Sequence, residues 1–279
     1  MTTSTRILPT GCPLRTERRV PAVRGRRHGV PVLALAVVLV VAGCGGGDAS
    51  ADAAPPTDGV SEPVAAGSQE AMNTLTDAER AEGWRLLFDG TSLEQWRGYR
   101  MEAMHDGWAA RDGMLTRVGG GGDIITRDTF GDFELSLEWR VEEAGNSGVL
   151  YRGDESADYI YKTAPEMQVL DDAGHADGGD PLTSAGSVYG LYPAPRGLVR
   201  PAGEWNHARI VADGTRVEHW LNGSLVAAYE QGSDEWNALV AGSKFVQWPE
   251  FGTLREGHIG LQDHGDPVWY RNIKIRPLG

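Results

Sequence analysis

Cysteine is almost missing from this chain of 279 residues: the only two are Cys12 and Cys44. A domain that begins beyond residue 44 therefore has no internal disulfide, no thiolate nucleophile and no cysteine metal site. Positive charge is scarce as well. The whole chain stands at −13, and its first 43 residues hold seven arginines (Arg6, Arg15, Arg18, Arg19, Arg24, Arg26, Arg27) against the single acid Glu17, so the remainder is near −19. So acidic a surface repels phosphate backbones and anionic lipid headgroups, which argues against nucleic acid as a partner. Long apolar runs are missing too. The run "VPVLALAVVLVVAG", residues 30–43, is too short to span a bilayer as a helix but suits the apolar core of a secretory signal. Helix signals are few, and no glycine fingerprint for a dinucleotide occurs.

What is present begins at the end of that apolar run. Val41-Ala42-Gly43-Cys44 resembles the bacterial lipobox, in which the cysteine is lipidated and becomes the mature N-terminus. Residues 1–43 are accordingly expected to be a lipoprotein signal peptide. Residues 44–73 are small, polar and without period, and read as a flexible tether. The protein is expected to be extracytoplasmic and to meet its membrane through the lipid on Cys44 alone. Residues 74–279 suit one large all-β domain.

Period-two alternation runs through that domain. In "DFELSLEWRV", Phe133, Leu135, Leu137, Trp139 and Val141 share one face, with Glu134, Ser136, Glu138 and Arg140 on the other. That pattern describes a half-buried antiparallel strand. Asn222-Gly223 between two alternating runs predicts a hairpin with a tight I′ turn. "NHARIVAD", "SGVLYRG" and "EMQVLDD" add strands, and residues 257–264 and 268–276 close the domain. Thr76 with Glu79 forms a capping-box pattern, and Ser233 is placed to cap a helix over roughly 234–241. Many strands and few short helices predict a jelly-roll β-sandwich.

Seven segments in order carry a family resemblance: "GWRLLFDGTSLEQWRGY", "GDIITRDTFGDFELSLEWRV", "GNSGVLYR", "LTSAGSVYGLY", "GEWNHARIV", "VEHWLNG" and "LQDHGDPVWYRNIKI". From about Glu82 to Leu278 the chain resembles the 3-keto-disaccharide hydrolase domain family. The resemblance implies a concanavalin-like jelly roll with a sugar on its concave sheet, and cleavage of glycosides already oxidised to a ketone at C3. A separate C3-oxidising dehydrogenase must then supply the substrate. The C3 ketone acidifies the C2 hydrogen, so the site needs a base near C2, a donor at the enolate oxygen and an acid for the leaving group. It does not need the flanking carboxylate pair of most glycosidases. Indeed Glu166 is followed on its strand face by Gln168, where a laminarinase-like jelly roll would place a second acid.

Several residues are candidates for these roles. His264 or His175 is the expected base, with Glu166 as alternative base or leaving-group acid and Arg152 at the enolate oxygen. Gln168, Gln262 and Lys244 are expected to bind substrate, and Trp96, Tyr189 and Trp248 are the candidate stacking aromatics. Strict alternation also puts Asp263 and Arg271 together on the core side of their strands, which predicts a buried ion pair. No cofactor is required. The acidic loop "LDDAGHADGGD" offers Asp171 and His175 as candidate ligands for a divalent cation, or else is a solvated loop, for no recognised ligand spacing is present.

Overall fold

The alternation at 133–141 becomes a strand whose five odd-numbered side chains are all at most 2% exposed. The structure, a computed structural model, describes residues 72–279; the expected signal, Cys44 and most of the expected tether lie outside the described residues.

Two antiparallel sheets carry the domain. One has eight strands, in spatial order β11 (Ser224–Glu230), β10 (Arg216–Leu221), β9 (Asn206–Asp213), β6 (Phe133–Val141), β13 (Val268–Pro277), β4 (Met114–Arg117) and β3 (Trp108–Arg111), with β1 (Arg85–Leu86) also on β13. The other has five: β2 (Trp96–Gly98), β5 (Ile124–Thr126), β12 (His258–Leu261), β7 (Asn146–Gly153) and β8 (Glu166–Leu170). Between them lies a single apolar layer that includes Leu135, Trp139, Val149, Tyr151, Met167, Val169, Ile259, Leu261, Tyr270 and Ile275. Each such side chain removed from water contributes about 1.5–3 kcal/mol before chain entropy is set against it. The fold is the jelly-roll sandwich that the alternation implied.

Local signals act where they were placed. Thr76 and Glu79 form the capping box of helix α1 (Asp77–Ala81), and Ser233 Oγ accepts the Trp236 amide at the start of α2 (Asp234–Ala241). Asn222 and Gly223 both take positive φ, 49° and 83°, and join β10 to β11 with Leu221 opposite Ser224. Asn73, expected in the tether, is instead buried and belongs to the domain. It exchanges hydrogen bonds with Asn272 at 2.6 and 2.8 Å.

Of three register slips, one between β10 and β11 lies away from the expected site residues, and the other two overturn their parity. In β13 the register against β6 slips between Arg271 and Lys274, where Asn272 has φ 53°. Val268 and Tyr270 point inward before the slip, Ile273 and Ile275 after it, and Arg271 is left on the outer face. The extra residue of a bulge reverses parity along the strand. The expected Asp263–Arg271 pair therefore does not form. Arg271 pairs with Glu138 at 2.5 Å and covers the Trp205 ring, whereas Asp263 pairs with Arg117. The second slip lies between β12 and β7, where Arg152 has φ 52°.

Candidate functional site

The outer face of the five-stranded sheet is laid out by register. Leu261 lies opposite both Ile124 and Val149, and Gly148 opposite Gln168. Stepping one residue along each strand sets Asp123, Gln262, Gly148 and Gln168 in one row facing away from the core. The row beside it holds Ile125, Gly260, Leu150 and Glu166. Gly148 matters because it has no side chain. A Cβ there would lie 2.0 Å from Glu166 Oε1, so the Glu166 carboxyl reclines across this gap towards Gln262.

Over that gap lies a cavity of about 320 Å³ lined by Asn146, Tyr161, Glu166, Gln168, Tyr189, Lys244, Phe245, Trp248, Gln262 and His264. Seven of the residues expected from sequence thus meet in one place. Tyr189, Lys244 and Trp248, three of the seven, arrive from outside the sheet: the Tyr189 amide donates to Glu166 O at 3.1 Å, and the 3-10 turn Lys244–Gln247, capped by Ser243 and followed by Trp248, forms the opposite wall. Lys244 Nζ sits 4.3 Å from the centre of the Tyr189 ring. The Gln262 amide bonds Gly148 O at 3.0 Å, which leads the chain from β12 to His264 at the rim.

Burial dominates the electrostatics. It pushes the Glu166 carboxyl up to about 8; the nearby Lys244 ammonium opposes this and Asp123 adds to it. Glu166 is therefore protonated at neutral pH. Asp123, also raised by burial, to about 6, keeps its charge there. Its Oδ1 accepts the Asp263 amide at 2.9 Å, and the Asp263 carboxylate in turn receives the Gly121 and Gly122 amides at 3.2 and 3.0 Å. The two aspartates thus clamp the glycine-rich loop before β5 to the loop that carries His264.

The two candidate bases lie side by side, ring centres 6.3 Å apart. They differ in what their nitrogens do. His175 Nδ1 accepts the Asp177 amide at 3.1 Å, so in the neutral ring its proton sits on Nε2, where it is a donor. His264 is half exposed, with Nδ1 4.0 Å from Asp266 Oδ2, outside hydrogen-bond range. It has the freer lone pair.

Other expected site residues lie elsewhere. Arg152 is fully buried and donates to Gly131 O, Gln231 Oε1 and Asp132 Oδ1, because the bulge at its own φ turns it away from the sheet face. Trp96 is a core residue whose Nε1 donates to Leu87 O at 2.7 Å. Asp171 caps the Ala144 and Ala173 amides, and Asp172 caps that of Ala185. Among the described residues no three His, Asp or Glu side chains gather as a cation site, and neither Asp171 nor His175 lines the cavity, His175 standing behind His264. A larger open groove of about 930 Å³ runs past Glu142, Asp171, Arg196 and Arg200. Its aspartates are committed to the backbone, so volume alone does not make it the reacting site.

Sequence reading missed Asn146, Tyr161, Phe245 and Asp123. Asn146 shares parity with Gly148 in "GNSGVLYR", and its buried Oδ1 has no protein partner. Asp123 shares parity with Ile125. What sequence does not supply is which strands are neighbours.

Comparison with known proteins places this geometry. The chain is 36% identical over 239 residues to a 3-keto-disaccharide hydrolase of Bacteroides thetaiotaomicron, covering 74% of this chain and 82% of that one. A crystal structure of a candidate glycosyl hydrolase from Parabacteroides distasonis superposes with TM-score 0.70 at 32% identity, over 75% of this chain and all of that one. A second from the same organism gives 0.57 at 31%, over 70% and 99%. The model of the 3-keto-α-glucoside-1,2-lyase-like domain matches residues 83–276. With nearly the whole sandwich matched, the chain belongs to the 3-keto-α-glucoside-1,2-lyase-like family.

Proposed function

We propose that the protein is a glycoside-cleaving enzyme that acts on 3-keto-glycosides by elimination and hydration. The observation that carries this is the pairing, in one small cavity, of a carboxyl that keeps its proton with an imidazole whose lone pair is free. Elimination needs an acid and a base in those states at the same pH. Direct displacement by two carboxylates finds Gln168 where a second acid would stand beside Glu166.

His264 takes the proton from C2, and the electrons of that C–H bond form the C2=C3 enolate. Lys244 Nζ supplies positive charge to the enolate oxygen, the role first expected of Arg152, while Gln168, Gln262 and Asn146 hold hydroxyls. Collapse of the enolate expels the substituent at C1 and leaves a C1=C2 enone. Glu166 gives its proton to the departing oxygen. Water then adds at C1, a proton returns to C2, and the sum is hydrolysis to a 3-keto sugar and a free alcohol. General acid and base groups typically contribute about a hundred- to ten-thousand-fold each.

The substrate must come from a separate dehydrogenase that oxidises C3. The lipobox supports an extracytoplasmic location with the lipid on Cys44 as the membrane contact. The test is incubation with 3-keto-glycosides and their unoxidised parents in deuterated water. Turnover restricted to the keto compounds, with deuterium at C2 of the product, is expected. Product lacking that label would remove the elimination route, and sugar binding without turnover would make the domain a binding module.

A further inference from the structure

Tyr159 is 52% exposed, and every other aromatic side chain among the described residues is buried or half-buried. Its neighbours give it direction. Its ring stacks on Tyr161 at 5.4 Å with planes 21° apart, and Tyr161 meets the edge of Trp248, also at 5.4 Å. Tyr161 and Trp248 are walls of the cavity, so three rings run without a break from the cavity outward. The 3-10 turn Ile160–Lys162 holds them out. Ile160 is fully buried against Ile125, Leu150 and Ala164, which turns the residues before and after it away from the sheet. The core is closed by Ile160, and Tyr159 adds nothing to it.

A polar pair sits at the same place. Lys162 Nζ bonds Asp158 Oδ1 at 2.6 Å and lies 5.3 Å from the Tyr159 ring centre and 5.7 Å from that of Trp248. Flat rings beside hydrogen-bonding side chains match a pyranose, which has an apolar face of C–H groups and a rim of hydroxyls. The cavity itself, at about 320 Å³, is at the small end for ligand sites. It suits one sugar ring, and a second must lie on what borders it.

We propose that Tyr159 and Tyr161, continuous with Trp248 at the rim, form an aromatic shelf, a leaving-group subsite that stacks the sugar departing from C1. The proposal rests on the cavity being the site of 3-keto-glycoside cleavage. It makes the enzyme selective for disaccharides over glycosides with a small alkyl leaving group, through binding rather than through the chemical step.

The test compares a 3-keto-disaccharide with the corresponding methyl 3-keto-glycoside. An aromatic contact of this kind is worth about three- to tenfold in affinity. Tyr159→Ala should raise KM for the disaccharide by that factor more than for the methyl glycoside, at similar kcat, and Tyr159→Phe should restore it. Equal effects on both substrates, or none, would overturn the shelf. Calorimetric titration with the unoxidised disaccharide and methyl glycoside separates this from the activity itself. If no keto compound is cleaved but wild type still prefers the disaccharide and Tyr159→Ala erases the preference, the shelf stands and the catalytic reading falls. No preference in wild type would remove the shelf.

Discussion

At neutral pH a carboxyl raised to about 8 keeps its proton, and Glu166 has this property because burial penalises its charged form. Two consequences follow from the sign of that shift. Activity that needs protonated Glu166 falls as pH rises through about 8. Stability moves the same way: the contribution is whole below the ordinary carboxyl value of 4.5, where both states are protonated. It is lost as pH rises from there to about 8, because the unfolded chain ionises first. Glu166→Gln keeps the shape and cannot ionise. It should lower turnover of a 3-keto-glycoside about a hundred- to ten-thousand-fold while melting no lower than wild type at pH 8; melting curves across pH 5 to 9 check this. A variant that melts well below wild type there would show that Glu166 stabilises the fold through contacts of its own. Much of this was visible beforehand, since Glu166 and Gln168 share a strand face and Gln262 shares one with His264. The reach of Glu166 across Gly148 was not, because it depends on which strand lies alongside β8.

Strand pairing sets the next level. The clamp between Asp123 and Asp263 joins two loops that are 140 residues apart in the chain. The Asp123 charge also acts on Glu166 through space, with Lys244 the opposing charge. The two functions separate by substitution. Asp123→Asn keeps an oxygen for the Asp263 amide and removes the charge, so the alkaline limb of the rate profile should move to lower pH with little change in melting. Asp123→Ala releases the amide as well and should lower kcat and melting temperature together. A limb that stays in place in Asp123→Asn would leave Asp123 a structural clamp only. The bulge in β13 has its own signature. Asp263 and Arg117 are buried partners, with side chains 6% and 13% exposed, so Asp263→Asn should cost about 3–5 kcal/mol. Arg271 and Glu138 are each 27% exposed, and Arg271→Met should cost about 1 kcal/mol or less. The double variant should be additive in denaturant melts, because the two residues share no contact. Recovery in the double variant would restore the strict alternation that the sequence alone suggests.

At the scale of the whole molecule, the proposed lipid and the net charge have separate consequences. With the part beyond residue 43 near −19, the charge offers no attraction to anionic headgroups, and the lipobox reading proposes a lipid on Cys44 as the attachment. Cys44→Ala should abolish lipid labelling and move the protein from the detergent to the aqueous phase; unchanged partition would end the lipobox reading. The sequence by itself determined the fold class, the capped helices, the Asn222-Gly223 turn and the polar residues of each strand face. These are local properties, set by side-chain period and by the φ angles a residue tolerates. Only the tertiary structure decided which faces meet, that Arg152 and Trp96 turn into the protein, that Asp263 chooses Arg117, and that the charge of Asp123 reaches Glu166. Partners across a sheet are fixed by register, and a single inserted residue reverses parity for the rest of a strand.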